Sequence, residues 1–364
     1  MRTAIASVML APGESEIREF DLPAVGADDG LLRVEAAGVC GSDVGAYARS
    51  GLPRILGHEN VGRIEAIGPI AAERWGVKEG DRIVVEEYLP CGHCDRCRTT
   101  DFRFCAETDS RGGGVRYGST PISVSPALWG GYSQWMYLHP RSVLHKAPDN
   151  VPAHHLALSL PIANGFEWAC VEGLAGPGKS VVVIGPGQQG LACILAAKAA
   201  GSEHIVALGL TRDAHRLSLA QQFGADLVVN VEAEDALSQV KELTNGALVD
   251  VVIDTARGDA ATLGAGIAMV KQRGTVLMST ALDTVVDLPM RTLQWKCAEI
   301  RGVRGHSYSA VEWAINGISS GQLPVEAMST QVLGLNDVDL AIRATGGETD
   351  LESVHITVDP WRGM

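Results

Sequence analysis

An apolar run, Val-Val-Val-Ile at 181–184, leads directly into Gly185, Gly187 and Gly190 at G-x-G-x-x-G spacing. Residues 191–200 then read as a helix stopped by Gly201. Strand, glycine turn and helix in that order are the most constraining feature of the chain. The first glycine allows a tight turn. The second lets backbone approach a pyrophosphate, with Gln188 and Gln189 opening the helix whose N–H groups face it. The third lets helix and strand pack closely. The flanking context favours a dinucleotide site over an empty strand-to-helix turn.

The pattern continues on the C-terminal side. Strand-like runs at 205–208, 227–229, 249–253 and 275–278 alternate with helical stretches at 214–223, 235–243 and 260–270. Strands joined by crossover helices pair in parallel with both faces covered, which predicts a doubly wound sheet with its ligand at the strands' carboxyl ends. The first 150 residues are β-rich instead, with strands expected near 31–35, 62–67, 82–86 and 132–138 and a long Gly- and Ser-rich loop at 107–131. A helix at 310–318 precedes a strand-like tail at 354–358 that can rejoin the N-terminal part. The expected domains are therefore 1–155, 156–305 and a returning segment 306–364.

Four of the eight cysteines, Cys91, Cys94, Cys97 and Cys105, follow C-x2-C-x2-C-x7-C spacing. Four thiolates this close can close a tetrahedral zinc shell, and a shell with no open position is structural. An iron–sulfur cluster uses the same ligand type. His93 reads as a solvated turn residue. The net charge of −13 disfavours nucleic acid and anionic membrane surfaces, and no run of 18 apolar residues exists. Clustered thiols and no recognisable export signal point to a reducing, cytoplasmic setting.

Residues 38–43 (G-V-C-G-S-D), residues 56–62 (L-G-H-E-N-V-G), the cysteine cluster and the 180–190 turn occur together. In this order they resemble the zinc-containing medium-chain dehydrogenase/reductase family, of alcohol and polyol dehydrogenase type, over nearly the whole chain. The resemblance implies an α/β chain with a GroES-like β-rich catalytic domain and an inserted Rossmann domain. It also implies a structural and a catalytic zinc, NAD or NADP, and a homodimer or homotetramer. Cys40 and His58 are the implied catalytic-zinc ligands, with Glu59 adjoining. Zinc acts as a Lewis acid on an alcohol oxygen, and the nicotinamide takes the hydride. Ser42 is placed to pass the alcohol proton outward, and Asp43 to orient His58.

Two positions depart from the family. Counting back 25 residues from Gly185 reaches Leu160, where the family's third zinc ligand falls. Leucine cannot ligate, so either Glu59 enters the shell or the catalytic metal is weak or absent. Gly45 also stands where many members carry a proton-relay histidine. Counting forward, Gly209 replaces the acid that binds the adenosine ribose in NAD enzymes, and Thr211, Arg212 and Arg216 follow. That substitution leans towards NADP, although Asp213 can still reach a ribose. Asn164 is expected against the nicotinamide carboxamide.

The resulting expectation is a cytoplasmic NAD(P)-dependent oxidoreductase for a small or medium alcohol, secondary or polyol. The alternatives are a zinc-poor reductase of an activated C=C or C=N bond and a non-catalytic NADPH-binding redox sensor. Thr275–Thr280 and 299–303 are candidate strands for pairing between subunits.

Overall fold

The structure is a computed structural model and describes residues 2–256, 260–280 and 287–363. The chain divides into two compact units, Met1–Leu160 with Ile315–Met364, and Pro161–Ala314.

The first unit is built on a seven-stranded sheet. Its strands run in the order Ser329–Leu333, His355–Val358, Gly30–Gly38, Glu59–Ile67, Arg82–Val85 and Leu144–Lys146, and Trp135–Leu138 also pairs with Gly30–Gly38. A hairpin of Thr3–Ala11 and Glu14–Asp21 forms a smaller sheet with Arg54–Ile55. Inward-facing residues of the two sheets make one core, including Val8, Leu32, Val34, Ile55, Ile83, Met136, Leu138 and Val358. The tail strand pairs antiparallel with Gly30–Gly38, putting Thr357 opposite Gly38, while Gly38 lies opposite Glu59 on its other side. Three strands from distant parts of the chain thus bring 357, 38 and 59 into one row. The segment 107–131 packs inward, with Tyr117, Leu128 and Trp129 buried in this core.

The second unit holds a six-stranded parallel sheet. Its order is Leu227–Asn230, His204–Gly209, Ser180–Ile184, Val249–Asp254, Val270–Met278 and Glu299–Gly302. Strands buried on both faces need continuous apolar runs, and Val181, Val182 and Val183 are fully buried. The crossover helices Gln188–Ala199, Ala214–Gln222, Ala236–Leu243 and Ala260–Met269 lie where the sequence pattern puts them. Asp235 caps the third of these by accepting the Leu237 N–H at 3.1 Å. One expectation fails. Val270–Met278 is hydrogen-bonded on both sides, so Thr275–Thr280 is no edge for a second subunit. The edge on that side is Glu299–Gly302.

Candidate active site

Cys40 caps the helix Gly41–Tyr47, and Asp43 is that helix's third residue. Asp43 Oδ2 accepts the Cys40 N–H at 3.0 Å and the Tyr132 O–H at 3.1 Å. Its other oxygen lies 3.3 Å from His58 Nδ1. Asp43 is 2% exposed, so this carboxylate fixes the imidazole from a dry position. His58 Nε2 then points to the other side, with Ser42 Oγ at 3.2 Å and Glu87 Oε2 at 3.8 Å. Burial alone would lower the His58 pKa. The carboxylates of Asp43 and Glu87 outweigh that and raise it well above the usual value. Desolvation and the Glu59 carboxylate push the Cys40 thiol upward, a balance that a bound cation reverses.

Glu59 opens its strand directly after His58. Its Oε2 lies 3.2 Å from Nε2 of His355, which is fully buried on the tail strand. Gly38 makes room for this pair. A Cβ at that position would come within 2.2 Å of Glu59 Oε2 and 2.5 Å of His355 Nε2. One ligand atom each from Cys40, His58 and Glu59 lies within 4.8 Å of the others. A sulfur, a ring nitrogen and a carboxylate oxygen so placed fit a zinc ion. Leu160 is 3% exposed and brings no lone pair.

The cysteines of the second cluster also meet. Their four sulfurs lie within 4.8 Å of one another, Cys91 and Cys97 at 3.9 Å and Cys94 and Cys97 at 3.5 Å. A tetrahedral zinc–thiolate shell spaces its sulfurs about 3.8 Å apart. Backbone N–H groups of His93 and Cys94 pull the Cys91 thiol down to about 6, while burial pushes Cys97 up to about 12. His93 turns away and its Nδ1 meets the Cys91 carbonyl at 3.0 Å.

In the second unit, Gly185 has a φ of +90°, and a Cβ on Gly190 would meet the Gly185 carbonyl at 1.9 Å. Gly187 is the helix N-cap and faces open space. No side chain caps Gln188–Ala199 and its first turn has no acid, so Gln188, Gln189 and Gly190 begin a helix suited to an anion. Gly209 ends its strand against Pro186 and Asp213, which a Cβ would meet at 3.0 and 3.2 Å. Asp213 accepts the Leu210 N–H at 3.1 Å and pairs with Arg216 at 3.5 Å. The Thr211 N–H donates to Glu232 Oε2 at 2.7 Å, and its hydroxyl meets Asn230 Nδ2 at 3.0 Å. The Glu232 carboxyl is lowered chiefly by its bonds to Thr211, with the charge of Arg212 adding to them. Asn164 sits inside the helix Ser159–Phe166, its Oδ1 2.9 Å from Nδ1 of the buried His306.

Sequence reasoning missed His355, Glu232, His306, Glu87 and Arg116. The last two are paired through Arg116 Nε at 3.2 Å and through Nη2. Only Glu87 left a trace, as an acid at a strand end just before Cys91.

The family model for the alcohol dehydrogenase GroES-like domain matches residues 26–149, and that for zinc-binding dehydrogenases matches residues 190–320. The chain belongs to the zinc-type alcohol dehydrogenase family. This zinc-type dehydrogenase is 35% identical to the "Probable alcohol dehydrogenase adh" of Mycobacterium tuberculosis over 98% of both chains. It is 31% identical to the sorbitol dehydrogenase of Bacillus subtilis, covering 78% of this chain and 77% of that one. The alcohol dehydrogenase of Thermus sp. ATN1 superimposes with a TM-score of 0.84 at 26% identity, covering 98% and 99% of the two chains. The zinc-type dehydrogenase is thus an NAD(P)-dependent oxidoreductase acting on an alcohol–carbonyl pair, and these relatives do not support the C=C or C=N reductase or the non-catalytic sensor. Among the described residues no helix is long and apolar enough to cross a membrane.

Proposed function

We propose that this dehydrogenase oxidises a secondary carbinol of a small polyhydroxylated alcohol at Cys40, His58 and Glu59. The observation carrying the reading is the convergence of those three ligand atoms within 4.8 Å, although position 160 is a leucine. When bound, zinc polarises the carbinol oxygen and the nicotinamide accepts the hydride. Cys40 and His58 would hold the metal, and Glu59 would supply the ligand that position 160 lacks. Asp43 keeps His58 Nδ1 protonated, leaving Nε2 as the electron-pair donor. Ser42 receives the alcohol proton and passes it to solvent, its hydroxyl standing on the Nε2 side of His58 and exposed. Cys91, Cys94, Cys97 and Cys105 would hold a second, structural zinc.

In the cofactor unit, Gly185, Gly187, Gln188, Gln189 and Gly190 receive the pyrophosphate, and Asn164, fixed by His306, faces the carboxamide. The missing acid at 209 and the nearby Arg212 and Arg216 lean towards NADP. Two carboxylates reverse that balance, since Asp213 engages Arg216 and Glu232 occupies the Thr211 N–H. We therefore read the cofactor as NAD. The exposed edge Glu299–Gly302 supports a homo-oligomer through strand pairing, and the clustered thiols support a cytoplasmic setting.

Metal analysis with a hydride-transfer assay tests this reading. Two zinc ions per chain and NAD-dependent oxidation of a secondary alcohol or polyol are expected. One zinc per chain in a fully active enzyme overturns the role of Cys40, His58 and Glu59.

A further inference from the structure

Glu87 follows the strand Arg82–Val85, and Arg116 lies on the 107–131 segment. Their backbones are tied together, because the Tyr117 N–H donates to the Glu87 carbonyl at 3.0 Å and Tyr88 bridges to Arg116. Both guanidinium contacts, Nε and Nη2, go to the same carboxylate oxygen, Glu87 Oε2. The Arg116 guanidinium also lies over the Tyr88 ring, 4.8 Å from its centre. The pair is therefore held in place from several sides.

Its position matters because that same Oε2 is 3.8 Å from His58 Nε2, the nitrogen left for the metal, on the side where Ser42 also stands. An alkyl substrate needs an apolar wall here. It meets instead a carboxylate and a guanidinium that lose water on binding and gain no partner from a hydrocarbon chain. Oε2 accepts two N–H groups, which leaves it poorly suited to ligate the metal. A phosphorylated or carboxylated substrate would seek the Arg116 charge, but Glu87 already neutralises it.

We propose that the Glu87–Arg116 pair reads the substrate, and that Glu87 masks Arg116 so that the site takes neutral polyhydroxylated alcohols and rejects their phosphate esters. Arg116 donates to a hydroxyl beside the reacting carbinol, and Glu87 cancels its attraction for anions. The assignment rests on the secondary-polyol reading above.

The test compares the wild-type holoenzyme with Glu87→Gln and Arg116→Gln on sorbitol, sorbitol 6-phosphate and 2-butanol, measuring kcat and KM separately, with zinc content by mass spectrometry. The wild type is expected to favour sorbitol over its phosphate by about 100-fold in kcat/KM. Glu87→Gln, of nearly the same shape, should cut that preference at least about tenfold, through a lower KM for the phosphate, with zinc content unchanged. Arg116→Gln should raise the KM for sorbitol about tenfold relative to 2-butanol and gain no use of the phosphate. A preference that does not move in Glu87→Gln overturns the masking role. Loss of one zinc in that variant also overturns it, because Glu87 would then be a ligand. A wild type inert towards all three compounds removes the underlying secondary-polyol reading as well, and so differs visibly from either result.

Discussion

The Asp43 carboxylate stands 3.3 Å from His58 Nδ1 while its other oxygen accepts the Cys40 N–H at 3.0 Å. One side chain therefore sets the orientation of both Cys40 and His58. Asp43→Asn keeps the shape but loses the charge that holds the His58 tautomer. Zinc affinity at this site is expected to fall about 10–100-fold, with the four-cysteine zinc unaffected. Chelator competition with metal counting checks this, and a variant retaining both zincs as tightly as wild type contradicts it.

Glu59 and His355 depend on each other in the same way. Both are almost completely buried, so His355→Leu removes one side of a buried carboxylate–imidazole pair. A loss of about 3–5 kcal/mol in stability is expected from breaking one side of a buried pair, read by denaturant unfolding of the zinc-free full chain. Gly38→Ala reaches the same pair by crowding, since its Cβ would come within 2.2 Å of Glu59 Oε2. If Gly38→Ala unfolds and binds zinc like wild type, the pair is not set as described.

Cofactor choice turns on Glu232. NADH is expected to bind more tightly than NADPH, as measured by nicotinamide fluorescence. Glu232→Gln releases the Thr211 N–H from an anion and leaves Arg212 unopposed. NADPH affinity should rise about tenfold, the order of one charge-assisted contact. A wild type that prefers NADPH contradicts the NAD reading directly.

Acid sensitivity has a local source at His139. The Arg141 N–H donates to His139 Nδ1 at 3.1 Å, and the ring lies against Trp129, 5.8 Å between centres. Burial first, and then the Arg141 charge, lower its pKa from 6.5 to about 4. As pH falls below 6.5 the unfolded chain takes up a proton that the folded chain refuses until about 4, so stability drops across that window. His139→Asn, whose amide oxygen can still accept the Arg141 N–H, should flatten the decline in melting temperature between those two values. An unchanged slope assigns acid sensitivity elsewhere.

How legible these features were depends on how local they are. The glycine turn, the parallel strands and the four cysteines are set by spacing within a few residues, and the sequence pattern placed them within a residue or two, except that the strand expected at 275–278 begins at Val270. Cys40, Asp43 and His58 sit in two short motifs, and the structure brings them together. Leu160 and Gly209 were also visible, as gaps where a donor and an acid belong. Glu59 and Asp213 near those gaps were visible too, but their distant neighbours were not. Glu59 is one residue from His58, but its partner His355 is 296 positions away and has no motif. Glu232 reaches Thr211 only because neighbouring parallel strands end side by side. The Thr275–Thr280 expectation failed for the same reason, because apolar content reports burial and not which strand lies at the edge.

The Glu59–His355 pair also sets a schedule for biosynthesis. The tail strand that carries His355 is made only after the whole nucleotide-binding unit has been translated. The 296 positions from Glu59 to His355 take roughly 15–60 s at ordinary elongation rates. Until then Glu59 lacks the His355 imidazole and the sheet lacks the strand next to Gly38. The four-cysteine lobe is therefore synthesised long before Glu59 gains its His355 partner.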